Sequence, residues 1–200
     1  MIKNSETKHK VFISYYHDDD QYYKDKFEEL FDDIFINKSV SDGDIDDDLS
    51  ANYIKRLIQE DYLTDTSVLV VLVGKNTFKR KHVDWEISAA LSKKVGGYSG
   101  LLGLCLPNHS AFGKDKYSDD DVPPRLVDNL KSGFAKLYDW TTSEQIIKAR
   151  IEDAFNARID MKDTIDNSRE QFKKNRWTKK LLEWDLFIWM ERVKIWKALI

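Results

Sequence analysis

The chain has 200 residues and a net charge of −3, and its length suits one domain with an appendage. Its single cysteine, Cys105, excludes an intramolecular disulfide, and its four scattered histidines lack metal-ligand spacing, so we expect no metal site. The N-terminus has no apolar signal segment, and no apolar run approaches the ~18 residues of a membrane span, so we expect a cytoplasmic protein.

The charge is unevenly distributed along the sequence. Residues 169–200 carry nine Lys/Arg and four Asp/Glu, which gives +5 for this segment and −8 for residues 1–168. An acidic body is a poor nucleic-acid binder, because phosphate contacts need clustered lysine and arginine. We expect no nucleic-acid partner for the body. The basic segment suits an acidic partner, an anionic surface or the body itself.

The first half of the chain predicts strands that alternate with helices. Apolar runs rich in β-forming residues indicate strands at 10–16, 35–40 and 67–74. Apolar residues at helical spacing predict helices at 21–35 and 49–62. The acidic run that precedes the second helix lacks the glycine and glutamate positions of a calcium loop, so we interpret it as a solvated loop.

The second half continues the alternation with one interruption. Helical spacing returns at 81–94, and a buried strand is predicted at 100–106. The polar segment 108–121 is interpreted as a surface insertion that ends at a Pro-Pro break. A last strand at 133–140 and a last helix at 142–158 complete the pattern.

Five strands separated by helices predict an α/β fold with a doubly wound, five-stranded parallel sheet. In such sheets ligands bind at the carboxyl ends of the strands, near the point where the strand order reverses. We divide the chain into an α/β domain, residues 1–160, and a helical C-terminal extension, residues 161–200.

The end of the extension is unusually rich in tryptophan. Residues 176–200 hold four of the six tryptophans, and their apolar residues form two stripes, one with heptad spacing. A helix with two apolar stripes needs covering, either by the body or by a second helix. We expect an amphipathic helix that mediates self-association.

Two motifs are candidates for chemistry. The strand at 10–16 runs into an aromatic and polar cluster, and the helix after the strand at 67–74 opens with Trp85-Glu86. Both motifs follow carboxyl ends of strands, so they can share one crevice. An acid in the first turns of a helix also has an ordinary explanation, because it compensates the helix dipole. The cluster after the first strand consists of Ser14, Tyr15, Tyr16 and His17.

The motifs together resemble a TIR domain, and more closely the TIR-like proteins of the Thoeris antiphage system. The resemblance extends over residues 9–176. It is carried by Ile13-Ser14-Tyr15 with His17 and Asp18, Asp65-Thr66-Ser67, Thr77-Phe78, Trp85-Glu86-Ile87, Leu137-Tyr138-Asp139-Trp140, and Asp166-Asn167-Ser168-Arg169 with Phe172 and Asn175-Arg176.

This resemblance implies a flavodoxin-like TIR fold and an NAD glycohydrolase or ADP-ribosyl cyclase of antiviral defence. Glu86 would be the catalytic residue, and NAD would be a substrate, with no cofactor required. The enzyme would respond to a phage-protein trigger as a homo-oligomer and make a cyclic ADP-ribose-type second messenger that activates a separate effector protein. Substrate-binding residues would be Ser14, Tyr15, Tyr16, His17, Trp85 and His82, the last at a position where TIR relatives often carry tryptophan.

The chemistry fits this small set of residues. The bond between ribose and nicotinamide in NAD is already activated, because the leaving group departs as a neutral base from a cationic ring. Its cleavage needs negative charge beside the developing oxocarbenium ion and an aromatic seat for nicotinamide. Glu86 can supply the charge, and the aromatic residues Tyr15, Tyr16 and Trp85 are candidates for the seat.

Two other interpretations remain open. A non-catalytic TIR-like module that only assembles with partners would use Glu86 as a dipole-compensating surface acid. A flavodoxin-like or receiver-like domain fits less well, because no aspartate ends the third strand and no phosphate loop follows the first.

Overall fold

The computed structural model describes residues 8–39 and 63–176. The predicted helix at 49–62, the acidic run before it and the tryptophan-rich residues 177–200 lie outside this part of the chain. None of the helices in the two described ranges is long and apolar enough to cross a membrane.

Five parallel strands form one sheet in the order β2-β1-β3-β4-β5. This arrangement confirms the predicted doubly wound α/β fold. The order is the flavodoxin-like one, in which the chain reverses direction across the sheet between β1 and β3. The strands are β1 His9–Ser14, β2 Phe35–Asn37, β3 Val68–Val73, β4 Gly100–Cys105 and β5 Lys136–Asp139.

Four α-helices lie in the described ranges. Short 3₁₀ turns at Thr77–Lys79 and Lys162–Thr164 precede the second helix and follow the fourth. The helices are α1 His17–Phe31, α2 Lys81–Ala90, α3 Pro124–Lys131 and α4 Glu144–Asp160.

Helix α1 begins four residues before the predicted start at 21. Tyr16 is still extended, and the helix begins at the next residue. Its first turn contains Asp18, Asp19 and Asp20, which the positive end of the helix dipole stabilises. The prediction failed at this boundary because it followed only the apolar periodicity, which starts further along.

Helix α3 was not predicted at all, since the Pro123-Pro124 pair was interpreted as a break. Proline is well accommodated at the first position of a helix, where its missing N–H has no intrahelical partner to lose. Pro124 occupies this position, and Leu126 and Val127 bury the inner face of the helix.

The core consists of two layers, one on each face of the sheet. Along β3, alternate residues belong to opposite layers: Leu69, Val71 and Val73 pack with α2 and α3, whereas the residues between them pack with α1 and α4. Gly100 allows α4 to approach the sheet closely, because a Cβ atom there would lie 1.9 Å from the carbonyl oxygen of Ala154.

After α4 the chain returns over the α2 and α3 side of the body. Residues 165–176, which we call the strap, hydrogen-bond to both helices. The first part of the predicted C-terminal extension is therefore attached to the α/β body. The division of the chain at residue 160 stays a prediction.

Candidate functional site

The candidate site lies where β1 and β3 end side by side. Ser14 is the last residue of β1, pairs with Val71 of β3 and is buried. Its hydroxyl donates a hydrogen bond to Oε2 of Glu86 on α2, with an oxygen–oxygen distance of 2.5 Å. The structure thus brings together the two candidate motifs, whose contacting residues are 72 positions apart in the sequence, at the reversal point of the sheet.

Glu86 is electrostatically unusual. The protein surrounds its carboxyl group densely, although a small part of the side chain remains accessible. Burial disfavours the charged form and raises the pKa of Glu86 to about 7, while the hydrogen bond from Ser14 acts in the opposite direction. Among the described residues, Ser14 is the only hydrogen-bond partner of the Glu86 carboxyl group. A carboxyl group that titrates near neutrality at a strand end is typical of a functional site.

The aromatic residues after β1 line the same edge of the sheet. Tyr15 is half-buried, and its hydroxyl donates to Oε1 of Gln21 at 2.6 Å. The Tyr15 and His17 rings lie 6.2 Å apart, and His17 is exposed. The Tyr16 hydroxyl donates to Asp18. Tyr15 and Tyr16 both keep some exposed surface, as an aromatic seat requires.

Trp85 lies elsewhere. Its side chain is 2 % exposed and belongs to the core layer between the sheet, α2 and α3. The indole N–H donates to the carbonyl oxygen of Phe172 in the strap at 2.7 Å. The His82 ring lies 5.1 Å from the Trp85 ring. Contrary to the expectation from the sequence, the indole ring of Trp85 does not line an accessible surface.

Arg80, which the sequence did not single out, contacts the candidate site residue Tyr16. Its guanidinium group stacks on the Tyr16 ring, 3.3 Å from the ring centroid, directly before α2. Its Nε is buried and has no hydrogen-bond partner within the described parts of the chain. The pKa of Tyr16 is raised to about 12, mainly by burial and by its hydrogen bond to Asp18, although Arg80 acts against the shift. No sequence signal distinguishes this arginine from its basic neighbours.

Asp20 is a second residue that the analysis missed. It is fully buried and accepts hydrogen bonds from Thr77 at 3.0 Å and from Asn108 at 2.8 Å. It therefore joins α1 to the loops that follow β3 and β4. Gly74 is required beside it, because a Cβ atom there would lie 2.2 Å from the carboxylate. Asp20 is one of three consecutive aspartates, so sequence alone does not identify it.

The only cysteine is buried and forms no disulfide. Cys105 is buried beside His109, with 3.5 Å between Sγ and Nδ1, and burial raises the pKa of its thiol to about 11. Within residues 8–39 and 63–176, no three His, Cys, Asp or Glu side chains are placed to hold a metal ion.

The strand order is that of a flavodoxin-like α/β domain, and Glu86 of α2 meets Ser14 at the carboxyl end of β1. The family model described as "Thoeris protein ThsB, TIR-like domain" matches residues 12–111. The chain belongs to this family, and is thus a TIR-domain protein of Thoeris defence. The matched region includes Ser14 and Glu86 as well as β3 and β4, whereas the strap lies outside it.

Other comparisons are more distant. No curated protein matches this chain. One solved structure that matches is that of the TIR domains in the activated Roq1 resistosome directly recognizing the pathogen effector XopQ. It is 14 % identical in sequence, with a TM-score of 0.38, and the match covers 76 % of this chain and 84 % of that one.

Proposed function

We propose that the chain is an NAD-cleaving enzyme in which Glu86 is the catalytic carboxylate. The observation that carries this proposal is the carboxyl group of Glu86, held by the Ser14 hydroxyl at 2.5 Å and desolvated until its pKa is about 7. A carboxylate in a poorly hydrated recess stabilises a nearby cation far more strongly than one in water.

The reaction breaks the bond between C1′ of the ribose and the nicotinamide nitrogen. The bonding electrons leave with nicotinamide, which becomes neutral, and positive charge moves to the ribose as an oxocarbenium ion. Ionised Glu86 stabilises this charge. Attack on C1′ by water gives ADP-ribose and a proton, whereas attack by a ring nitrogen of the adenine gives a cyclic ADP-ribose-type product and a proton.

The substrate itself promotes ionisation of Glu86. The nicotinamide ring of NAD is cationic, and an opposite charge within ~4–6 Å lowers the pKa of a carboxyl group. Binding of NAD therefore shifts Glu86 toward the ionised form that the reaction uses. In this proposal the rings of Tyr15 and Tyr16, which are both half-buried, contact nicotinamide.

The product acts as a signal in the remaining part of the proposal. The cyclic nucleotide diffuses in the cytoplasm to a separate effector protein and activates it, and a phage protein triggers its production. Residues 176–200 mediate homo-oligomer formation through their two apolar stripes. A truncation after Asn175 should lower the mass measured by light scattering, and an unchanged mass would exclude this role for the segment.

Nicotinamide release tests the enzymatic proposal. Wild type, Glu86→Gln and a matched control, Glu29→Gln, are incubated with NAD in the presence and absence of phage-infected cell lysate. Glu29 is an exposed carboxylate on α1 that pairs with Lys26. We expect Glu86→Gln to lose ~100-fold or more in kcat, because it removes charge stabilisation of the transition state, and we expect the control to keep wild-type turnover.

The non-catalytic alternative predicts a different result. If all three proteins release no nicotinamide above background under both conditions, the chain is an assembly module and Glu86 has no catalytic role. If a folded Glu86→Gln protein keeps wild-type turnover, the chain is an enzyme but its catalytic carboxylate is another residue.

A further inference from the structure

The strap lies along one face of α2, opposite the face that carries Glu86. The strap hydrogen-bonds to residues of α2 and to residues just before and after this helix, between Lys79 and Ser92. Residues three and four apart share a helix face, and Glu86 lies roughly 140° around the helix from the start of this stripe. The contacted residues are Lys79, Lys81, Asp84, Trp85, Ser88 and Ser92.

The backbone of Phe172 makes the closest connection to the site. Its N–H donates to Oδ2 of Asp84 at 2.8 Å, and its carbonyl oxygen accepts the indole N–H of Trp85 at 2.7 Å. Asp84 and Trp85 are the two residues that directly precede Glu86. A single strap residue therefore fixes the turn of α2 that presents the carboxyl group.

A buried polar network fixes the middle of the strap. Arg125 of α3 is fully buried and pairs with Asp84, with Nε and Oδ1 3.0 Å apart. The same guanidinium donates to Oδ1 of Asn167 at 2.8 Å, and the amide of Asn167 donates to the carbonyl oxygen of Ser88 at 3.0 Å. Each group in this network has its partner, so a displacement of the strap would leave buried polar groups unsatisfied.

We propose that the strap is a positioning element for the catalytic carboxylate: it holds α2 against the sheet so that Glu86 stays in contact with Ser14 and away from bulk water. The role that we assign to it in catalysis rests on the proposed function of Glu86. The positioning residues of the strap are Asn167, Gln171 and Phe172, since they act on Glu86 through Asp84, Trp85 and Ser88 and do not reach the reacting atoms.

The positioning has a physical consequence that can be measured. A carboxyl group keeps a raised pKa only while water is excluded from it. If the strap is loosened, α2 can move outward, water reaches Glu86, and the pKa falls toward its ordinary value of 4.5. A residue that only stabilises the fold would change the population of folded molecules but not the pKa of Glu86 within them.

The test uses full-length variants with substitutions in α2 or in the strap. Trp85→Phe removes the donor to Phe172, and Asn167→Ala removes the link between Arg125 and Ser88. Gln171→Ala is a milder change that removes one hydrogen bond to the hydroxyl of Ser88. The matched control is Arg169→Gln, a strap residue whose hydrogen bonds go to Asp128 of α3 and not to α2; its charge acts on Asp84 only through space.

Two quantities are measured for each folded variant: the pKa of Glu86 by ¹³C NMR of its carboxyl carbon, and kcat and KM for nicotinamide release. We expect Trp85→Phe and Asn167→Ala to lower the pKa by ~1 unit or more and kcat by ~10-fold, with a smaller change in KM. Gln171→Ala should also lower the pKa of Glu86 and kcat, by smaller amounts, and Arg169→Gln should match wild type in both quantities.

An unchanged Glu86 pKa in folded Trp85→Phe and Asn167→Ala proteins would overturn the proposal. If those two variants do not fold, an unchanged pKa in Gln171→Ala overturns it instead. An equal pKa shift in Arg169→Gln would also contradict it, because that variant removes no hydrogen bond between the strap and α2. The NMR measurement needs no turnover, so a wild type that fails to cleave NAD would refute the proposed function and still leave the strap testable.

Discussion

Each of two opposite faces of α2 carries a carboxylate that is largely removed from water. The two carboxylates differ in the partners that the protein provides for their charge. On the strap face, Asp84 pairs with the guanidinium of Arg125 and accepts a backbone hydrogen bond from Phe172. On the sheet face, two residues further along the chain, Glu86 has a single hydrogen bond from Ser14, and burial raises its pKa to about 7.

This difference separates a structural carboxylate from a reactive one. A buried charge with a cation and a backbone donor is satisfied, and it holds elements of the fold together. A desolvated carboxyl group without a cation destabilises the fold when it ionises, and it is relieved when a cationic substrate arrives. The contacts of Asp84 hold α2 in place, and this placement keeps Glu86 next to Ser14.

The largest effect on stability should come from breaking the buried ion pair between Asp84 and Arg125. Arg125→Met leaves Asp84 buried without its cation, and the loss of one partner of a buried pair typically costs ~3–5 kcal/mol. We expect urea unfolding to show a decrease of this size in the free energy of unfolding. Arg169→Gln, which breaks the more exposed pair with Asp128, should cost ~1 kcal/mol or less. Equal costs for the two variants would contradict the distinction.

The next largest effect comes from removing the Glu86 carboxyl group, and it increases the free energy of unfolding. The folded protein keeps the Glu86 proton up to a pH of about 7, whereas an ordinary glutamate releases it near 4.5. The folded state therefore binds more protons between these two values, and stability falls as the pH rises through this window. Glu86→Gln removes that loss, so the variant should be more stable than wild type at pH 8.

The expected gain at pH 8 is on the order of 3 kcal/mol, and it should be close to zero near pH 4.5. Denaturant unfolding of both proteins at the two pH values measures it. A gain that is the same at both values would mean that Glu86 is not desolvated.

The smallest effect is a change in the pKa of Glu86 itself. Ser14→Ala removes a hydrogen bond that favours the charged form, so the pKa should rise above that of wild type. A hydrogen bond to a charged group contributes ~1.5–3 kcal/mol, which corresponds to a rise of ~1 to 2 units. A ¹³C titration of the carboxyl carbon measures the shift, and a pKa at or below the wild-type value would contradict the assigned role of Ser14.

Much of this comparison was accessible from sequence. Long β-branched and apolar runs predicted the strands, and the position of Ser14 and Glu86 after two of them predicted a shared crevice. Family resemblance singled out Glu86 among many acids, which local pattern alone could not do. The strands were easiest to predict because central parallel strands must be apolar on both faces, as in Val68–Val73.

The remaining features depend on contacts between residues that are distant in the chain. Asp84 and Arg125 are 41 residues apart, and nothing in the local sequence of either indicates a buried pair. Trp85 was expected at the site because it adjoins Glu86, but neighbouring helical residues point about 100° apart, and its ring faces the core. Helix α3 was missed because its short apolar face follows a Pro-Pro pair that also suits a loop.

The pH dependence of nicotinamide release tests the central claim most directly. If ionised Glu86 cleaves NAD, kcat/KM must rise with pH through the pKa of this group in the free enzyme, which lies at about 7. We predict a single ascending limb centred near pH 7 that coincides with the ¹³C titration of the Glu86 carboxyl carbon. A profile that is flat from pH 5.5 to 8.5, or that falls over this range, would contradict the account.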